Sequence, residues 1–308
     1  MDTSPTNYNL TFEPDLKKFT FTGLETISVN CKKSVNVIRM NCAELKIKSC
    51  VVKSGGQIIK SSPKTNEKKE ELEIKLGEKI RGSCTIHLEF EGILNDRLLG
   101  FYRSKYQQNG KTKYLATTQF EAADARRAFP CWDEPEAKAT YDISIIAENK
   151  FTAISNMPIK TKKKTGNKTT YHFQRTPLVS TYLIYLGVGE FEYLTGRAGK
   201  IQIRVVTTKG NTSKGKFSLE LGKKLLTSYE KYFGIKFPLP KLDLIAVPDF
   251  AAGAMENWGA ITFRETILLY DPKTSSTRTK QFIAEVISHE IAHMWFGNLV
   301  TMKWWNDL

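Results

Sequence analysis

The sequence of 308 residues has no uninterrupted apolar run near the roughly 18 residues that a membrane helix needs. Its first six residues lack the basic and apolar regions of a secretory signal, which predicts an intracellular, cytoplasmic protein. The five cysteines are odd in number and show no Cys-x-x-Cys spacing, so neither a disulfide framework nor a thiolate zinc site is indicated. We expect most of them to be buried, reduced thiols.

The sequence also lacks a dominant basic block, although its formal charge is +14 and a basic surface is the usual first sign of nucleic-acid binding. Residues 194–308 hold 16 Lys and Arg against 10 Asp and Glu, and residues 1–193 carry a similar surplus. The one dense cluster, at residues 162–164, is interpreted as a solvated hairpin loop. We therefore expect neither a nucleic-acid partner nor a membrane partner.

The chain divides near residue 193 into two regions with different periodicity. Short β-rich runs, the last at 182–188, alternate with turn signals before this point and predict an antiparallel β domain over residues 1–193. Beyond it, apolar residues at helical spacing predict helices at 213–233 and 277–296, and strands are predicted at 201–207, 242–247 and 259–263. Residues 194–308 are therefore predicted to form a mixed α+β domain.

The second predicted helix carries the pattern His289-Glu290-x-x-His293. Two histidines four residues apart lie on one helix face about one turn apart, so both imidazoles can reach a single zinc ion. Glu290 can reach a zinc-bound water without being a ligand, which is where a general base must sit. A chance match in a surface helix is the alternative, but the surrounding segment is strongly apolar, and unpaired polar side chains would be costly there.

A second cluster, Gly253-Ala254-Met255-Glu256-Asn257, lies in a loop between two predicted strands. Small residues let a backbone approach a ligand closely, and Glu256 would present a carboxylate to a cation. Taken alone, the loop is better interpreted as structural, because loops with glycine, alanine and one acid are common.

A third cluster spans residues 119–135. Ion pairs that pin a loop at a domain interface are the preferred interpretation of its charged residues Asp124, Arg126, Arg127, Asp133 and Glu134. Gln119 and Glu121 occupy alternate positions of a strand that is predicted to begin near Tyr114, and they should therefore point to the same face. There they could line a pocket together.

These three clusters, with Trp-Phe-Gly-Asn-Leu-Val-Thr at 295–301 directly after the second histidine, resemble the gluzincin-type zinc aminopeptidases that carry the Gly-Ala-Met-Glu-Asn motif. This is peptidase family M1, which includes aminopeptidase N and puromycin-sensitive aminopeptidase. The resemblance covers essentially the whole chain. It implies a saddle-like antiparallel β domain followed by the first part of a thermolysin-like zinc metallopeptidase domain.

The resemblance also implies roles for the motif residues. His289 and His293 would bind one Zn²⁺ ion, and Glu290 would activate the water. Glu256 and Glu121 would hold the free α-amine of a peptide substrate, which an internal peptide bond does not offer. Gln119 would line the same pocket. In the same loop, which ends with Asn257, the backbone of Gly253 and Ala254 would guide the peptide. Met255 would line the pocket for the first side chain of the substrate.

The family's third zinc ligand, a glutamate, is expected at position 312, and its oxyanion-binding tyrosine lies further on. The chain ends at Leu308, so we expect an N-terminal fragment that is inactive alone and that lacks packing partners for Trp295, Phe296, Trp304 and Trp305. Two alternatives stay open. A non-catalytic binding or scaffold protein would have kept the fold, and an epoxide-hydrolysing relative of the leukotriene-converting type would usually have a second glycine in place of Ala254.

Overall fold

The first part of the chain consists of strands in which buried and exposed residues alternate, as expected for strands with one face in the core and one in solvent. In the strand Thr20–Asn41, every second side chain from Phe21 to Cys31 is buried and those between them face outward. The computed structural model describes residues 1–307.

The strands, numbered in chain order, are Thr3–Asp15 (β1), Thr20–Asn41 (β2), Lys46–Ser54 (β3), Gln57–Ile59 (β4), Ser61–Asn66 (β5), Glu71–Ile93 (β6), Gly100–Gln108 (β7), Lys111–Gln119 (β8), Thr140–Glu148 (β9), Thr152–Ser155 (β10), Ile159–Thr165 (β11), Lys168–Phe173 (β12), Leu186–Gly189 (β13), Phe191–Ala198 (β14), Ile201–Thr208 (β15), Lys241–Val247 (β16), Ala254–Met255 (β17) and Ala260–Arg264 (β18). The α-helices are Lys216–Phe233 (α1), Glu265–Leu268 (α2) and Thr277–Ala292 (α3). None of the helices within residues 1–307 combines the length and the apolar character needed to cross a membrane.

Three sheets organise these strands. The largest has the order β11-β12-β9-β1-β2-β6-β3-β4, with β5 also paired to β6, and only its β1–β9 pair is parallel. A four-stranded antiparallel sheet has the order β10-β13-β8-β7. The third sheet, β14-β15-β16-β18-β17, is mixed, because β15, β16 and β18 run parallel to one another. The predicted combination of an antiparallel β region and an α+β region is confirmed.

Helix α1 connects the parallel strands β15 and β16, as a parallel pair requires a crossover. It ends at Gly234, whose φ of 66° lies in the left-handed region that glycine adopts without strain. Helix α3 packs beside α1: Tyr229 of α1 donates a hydrogen bond to the carbonyl of Ser288 at 3.2 Å. Helix α1 thus contacts both the mixed sheet and α3.

Several local predictions are confirmed. The five cysteines are free thiols, and all except Cys50 are buried. Arg126 pairs with Asp133 at 3.0 Å and Arg127 with Asp124 at 2.7 Å, as expected for a pinned loop.

Other local predictions are wrong. Residues 162–164 lie within strand β11 rather than in its hairpin loop, and the run predicted as a strand at 182–188 begins as a 3₁₀ turn, Thr181–Leu183. Trp295 is buried and stacks on Phe233 at 5.3 Å, although it was expected to lack partners. The expected exposure does occur at Phe296 and Trp304.

Candidate active site

Helix α3 supplies the pair of histidines. Its first turn is capped by Ser276, whose Oγ accepts a hydrogen bond from the backbone of Thr279 at 3.1 Å. Ile283, Ile287 and Ile291 recur every four residues and are fully buried, so this stripe faces the core. His289 and His293 are offset from it and remain accessible. The helix ends at Ala292, four residues earlier than predicted, and His293 is its C-cap.

The two imidazoles converge on one point. Their Nε2 atoms lie 2.9 Å apart, and the ring planes meet at 82°. Nδ1 of His293 lies 2.9 Å from the carbonyl oxygen of Phe296, which can only accept a hydrogen bond. The proton of neutral His293 is therefore on Nδ1, and the lone pair of Nε2 faces His289. Such a backbone partner is what orients a metal-binding histidine.

Glu290 lies between the two histidines in sequence but points into a buried space. Its side chain is 6% exposed, and its Oε2 atom has no hydrogen-bond partner within residues 1–307. Burial, followed by the charges of Glu256 and Glu121, raises the pKa of Glu290 to about 8. The three carboxyl groups therefore share one electrostatic environment.

The loop carrying Glu256 is held against strand β18. Ala254 and Met255 pair with Phe263 and Thr262 in antiparallel register, which places the next residue, Glu256, just past the end of the ladder. Glu256 is buried, and burial raises its pKa.

The other members of this loop have varied surroundings. Asn257 is buried and donates to Thr262 Oγ1 at 3.1 Å, while its Oδ1 is unpaired in the described part of the chain. Met255 has no accessible surface and packs in the core. Gly253 accepts a hydrogen bond from the backbone of Arg264 at 2.9 Å, and Ala254 is partly exposed.

The prediction that Gln119 and Glu121 share one strand is wrong. Strand β8 ends at Gln119, and Glu121 lies in the following turn, where the backbone N–H of Asp124 donates to the carbonyl of Phe120 at 2.9 Å. Glu121 nevertheless lies near Glu256 and His293. Burial and the charge of Glu256 raise the pKa of Glu121 to about 7, and His293 opposes this shift. Gln119 is buried, and its Oε1 has no partner in the described residues.

Two buried asparagines for which the sequence predicted no role connect the segments around the site. Asn156 donates to the carbonyls of Leu183 and Trp258, and Asn298 donates to the carbonyl of Glu256. Asn298 belonged to the segment at 295–301 that carried the family resemblance, so its position was a usable signal. No local pattern marked Asn156.

A buried ion cluster holds the C-terminal end of the loop that carries Glu256, at Gly259. Lys241 donates to the carbonyl of Gly259 and to Asp243, both at 2.8 Å, and Arg204 makes a bidentate contact with Asp243 at 2.6 Å. The paired cations hold the pKa of Asp243 below its usual value against the effect of burial. The strand that precedes the Glu256 loop and the strand that follows it are thereby tied together.

The donor set at the histidines is incomplete within residues 1–307, where no group of three or more His, Cys, Asp or Glu side chains is arranged to hold a metal ion. Two converging imidazole nitrogens fit zinc, which prefers nitrogen and sulfur ligands. A catalytic zinc site has three protein ligands, so two imidazoles alone would leave one ligand missing.

Comparison with known proteins agrees with the sequence motifs. Residues 4–183 match the Peptidase M1 N-terminal domain, and residues 217–308 match the Peptidase family M1 domain. Aminopeptidase M1 of Arabidopsis thaliana is 45% identical over 99% of this chain and 35% of its own length. Puromycin-sensitive aminopeptidase of Caenorhabditis elegans is 44% identical over 99% of this chain and 33% of its own.

The alanine/arginine aminopeptidase of Saccharomyces cerevisiae is 42% identical over 99% of this chain and 36% of its own length. The chain thus spans about a third of the length of the curated relatives it matches. Two adjoining family domains in the expected order cover most of its residues. The chain belongs to peptidase family M1.

Proposed function

We propose that this chain forms part of a zinc-dependent aminopeptidase that releases N-terminal residues from peptides. One observation carries the proposal: the Nε2 atoms of His289 and His293 lie 2.9 Å apart on the helix that also carries Glu290, whose Oε2 atom is buried and has no partner within residues 1–307. The names of the relatives support the reaction class, because the relatives described above are aminopeptidases.

His289 and His293 would hold the zinc ion. The hydrogen bond between His293 Nδ1 and the Phe296 carbonyl leaves the Nε2 lone pair of His293 to accept from His289 Nε2 at 2.9 Å. One proton, that of His289 Nε2, would therefore leave when both nitrogens bind a metal. Bound zinc supplies a Lewis acid that polarises a carbonyl and favours ionisation of water near neutral pH. The third protein ligand stays a prediction for position 312.

Glu290 would be the general base. The Oε2 atom of Glu290 is buried and has no partner within residues 1–307, and a pKa of about 8 leaves the group mostly protonated at neutral pH. A cation bound beside it would stabilise the ionised form, which could take a proton from the attacking water and return it to the leaving amine. Its neighbours on α3, Ile287 and Ile291, are packed in the core, which limits the movement of the helix that carries it. A positioned carboxylate of this kind contributes about 10²- to 10⁴-fold to the rate.

Glu256 and Glu121 would anchor the free α-amine of the substrate. Glu256 is buried and Glu121 half-buried, and both raise the pKa of Glu290, so a bound ammonium would be favoured electrostatically. Gln119, with its unpaired Oε1, would accept a further hydrogen bond from the same group. Ala254 and Gly253 offer backbone along the approach to Glu256, and Asn257 would hold that loop to β18.

This pocket would draw on both regions of the chain. Gln119 and Glu121 come from the first region, whereas Glu256 and the histidines come from the second. The predicted boundary at 193 and 194 falls inside β14, so we propose that the second domain begins with that strand, at Phe191.

The decisive test is Glu290→Ala in an enzyme of the relatives' full length that carries this chain as its first third. We expect kcat/KM for an aminoacyl arylamide to fall by about 10² or more with unchanged zinc content, because Glu290 is not a ligand. Glu285→Ala is the matched control, since Glu285 lies on the same helix but is exposed. Retained activity in Glu290→Ala would refute its role as base. Inactivity of the unsubstituted enzyme, with zinc bound, would favour a non-catalytic member of the family.

A further inference from the structure

The side chain of Asn298 connects the proposed metal-binding segment to the proposed amine anchor. Its Nδ2 donates to the backbone carbonyl of Glu256 at 2.7 Å, and its own backbone N–H donates to the carbonyl of His293 at 3.1 Å. Asn298 has no accessible surface. One residue therefore bonds to both the second histidine and the acidic residue of the loop.

The backbone around Asn298 is itself held from several directions. Thr301 Oγ1 donates to the carbonyls of Gly297 and Asn298, at 2.6 Å and 3.2 Å. From the first region, Tyr182 donates to the carbonyl of Gly297 at 3.2 Å, and Lys138 donates to that of Asn298 at 3.1 Å. These bonds limit the positions that the Asn298 amide can take.

A hydrogen bond to the Glu256 carbonyl acts on the part of the loop that lies between two fixed points. The ladder between β17 and β18 ends at Met255, and the loop turns back through the hydrogen bond from the Ala260 N–H to the Asn257 carbonyl. Glu256 lies between these two fixed points. Its peptide group receives a side-chain hydrogen bond from Asn298 at this position.

We propose that Asn298 is a positioning residue that sets the separation between Glu256 and the histidine pair, and so makes the site select ligands with a free α-amine. The inference rests on the proposed function. In an aminopeptidase substrate, the amine that is held and the carbonyl that is attacked belong to the same residue and are joined through one Cα atom. The distance from Glu256 to the metal must therefore match the distance between these two groups. A misplacement of about 1 Å can cost roughly 10²-fold in rate.

The test compares two zinc-binding probes, leucine hydroxamic acid and its analogue without the α-amine, by calorimetry on the zinc-loaded enzyme of the relatives' full length. The readout is the ratio of their dissociation constants, which needs binding but no catalysis. In Asn298→Ala we expect the preference for the amine to fall about tenfold, the worth of one buried hydrogen bond. The affinity for the probe without the amine stays the same, because the His293 contact to Phe296 is intact.

Two further variants define the outcome. Asn298→Leu keeps the approximate size of the side chain but removes the donor, and it should reproduce the effect if Asn298→Ala folds poorly. Thr301→Val is the matched control, because Thr301 stabilises the same segment without touching the Glu256 loop. An unchanged ratio in the Asn298 variants, or equal weakening of both probes, overturns the proposal.

A second measurement separates this proposal from the proposed function. Hydrogen exchange of residues 253–258, followed by mass spectrometry, should accelerate in Asn298→Leu and not in Thr301→Val. Protection that stays the same shows that Asn298 does not position the loop. A third outcome is that exchange accelerates in the variant although even the unsubstituted enzyme binds both probes equally. In that case Glu256 does not bind the amine, and the proposal that Asn298 sets amine selectivity is wrong as well.

Discussion

The side chain of Asn156 donates a hydrogen bond to the backbone carbonyl of Trp258 at 2.9 Å. Asn156 follows strand β10 of the first region, whereas Trp258 follows the Glu256 loop of the second. The same amide donates to Leu183 at 2.8 Å, and its Oδ1 accepts from the backbone of Tyr185 at 2.9 Å. One buried side chain therefore satisfies three backbone groups and joins the two regions beside the proposed pocket.

Replacing Asn156 with alanine should destabilise the protein. The Trp258 carbonyl and the Tyr185 N–H would lose their partner, whereas the Leu183 carbonyl would keep the backbone N–H of Trp258 at 3.3 Å. Each buried unsatisfied group costs about 1–3 kcal/mol. We expect the free energy of unfolding, measured with urea, to fall by at least about 2 kcal/mol. Asn149→Ala is the control, because Asn149 is exposed and its side chain bonds only within one hairpin, donating to the Gly166 carbonyl and accepting from Thr169 Oγ1. Equal stability of the two variants would show that the Asn156 contacts contribute nothing to stability.

The local part of the site could be predicted from the sequence. Two histidines four apart must share a helix face, so the convergence of His289 and His293 follows from helix geometry alone. Similarly, Gly234 with the prolines after it predicts the end of α1, where the structure places it. Each of these statements depends on residues within a few positions of one another.

Contacts between distant segments could not be predicted in this way. Asn298 and Glu256 are 42 residues apart, and Asn156 and Trp258 are 102 apart, so no periodicity relates them. Glu121 shows the limit within a short segment. Alternation predicted a shared strand face with Gln119, but the backbone turns directly after β8, and Glu121 nevertheless lies beside Glu256. Tertiary packing rather than strand geometry decides its position.

Gly297 is predicted to be required for zinc binding. Its φ is 128°, a region that side chains rarely adopt, and a Cβ atom there would lie 3.0 Å from His293 Nδ1. Gly297→Ala should therefore displace the ring from the Phe296 carbonyl. Loss of an orienting partner typically costs about 10- to 100-fold in metal affinity, and we expect a loss in this range by competition with a chromophoric chelator.

The matched control for Gly297 is Gly82→Ala. Gly82 also has a positive φ, 84°, but a Cβ atom there would meet nothing within 4 Å. Both variants should lose some stability, because both force a side chain into a strained backbone conformation. Only Gly297→Ala should lose zinc. Equal zinc affinity in the two variants would contradict the role assigned to the His293 ring orientation.

Glu25 is predicted to make the stability of the first region depend on pH. Its side chain lies on the core face of β2, is 3% exposed, and has no hydrogen-bond partner for either oxygen within residues 1–307. Burial raises its pKa well above the usual value. The folded state therefore keeps a proton that the unfolded state releases above its pKa of about 4.3.

The sign of the effect follows from this difference in bound protons. The free energy of unfolding is not reduced by Glu25 below about pH 4.3, where this group is protonated in both states. As the pH rises from there toward the raised pKa, the free energy of unfolding falls by up to about 1.4 kcal/mol per pH unit. Glu25→Gln removes the titrating group, so the free energy of unfolding of the variant minus that of the unsubstituted protein should increase from about pH 4 to pH 7. Any constant offset from the new amide cancels in this comparison. Glu89→Gln, on the exposed face of the neighbouring strand β6, should leave the difference flat. A flat difference for Glu25→Gln as well, measured by urea denaturation across this range, would mean that Glu25 is hydrated or paired in solution.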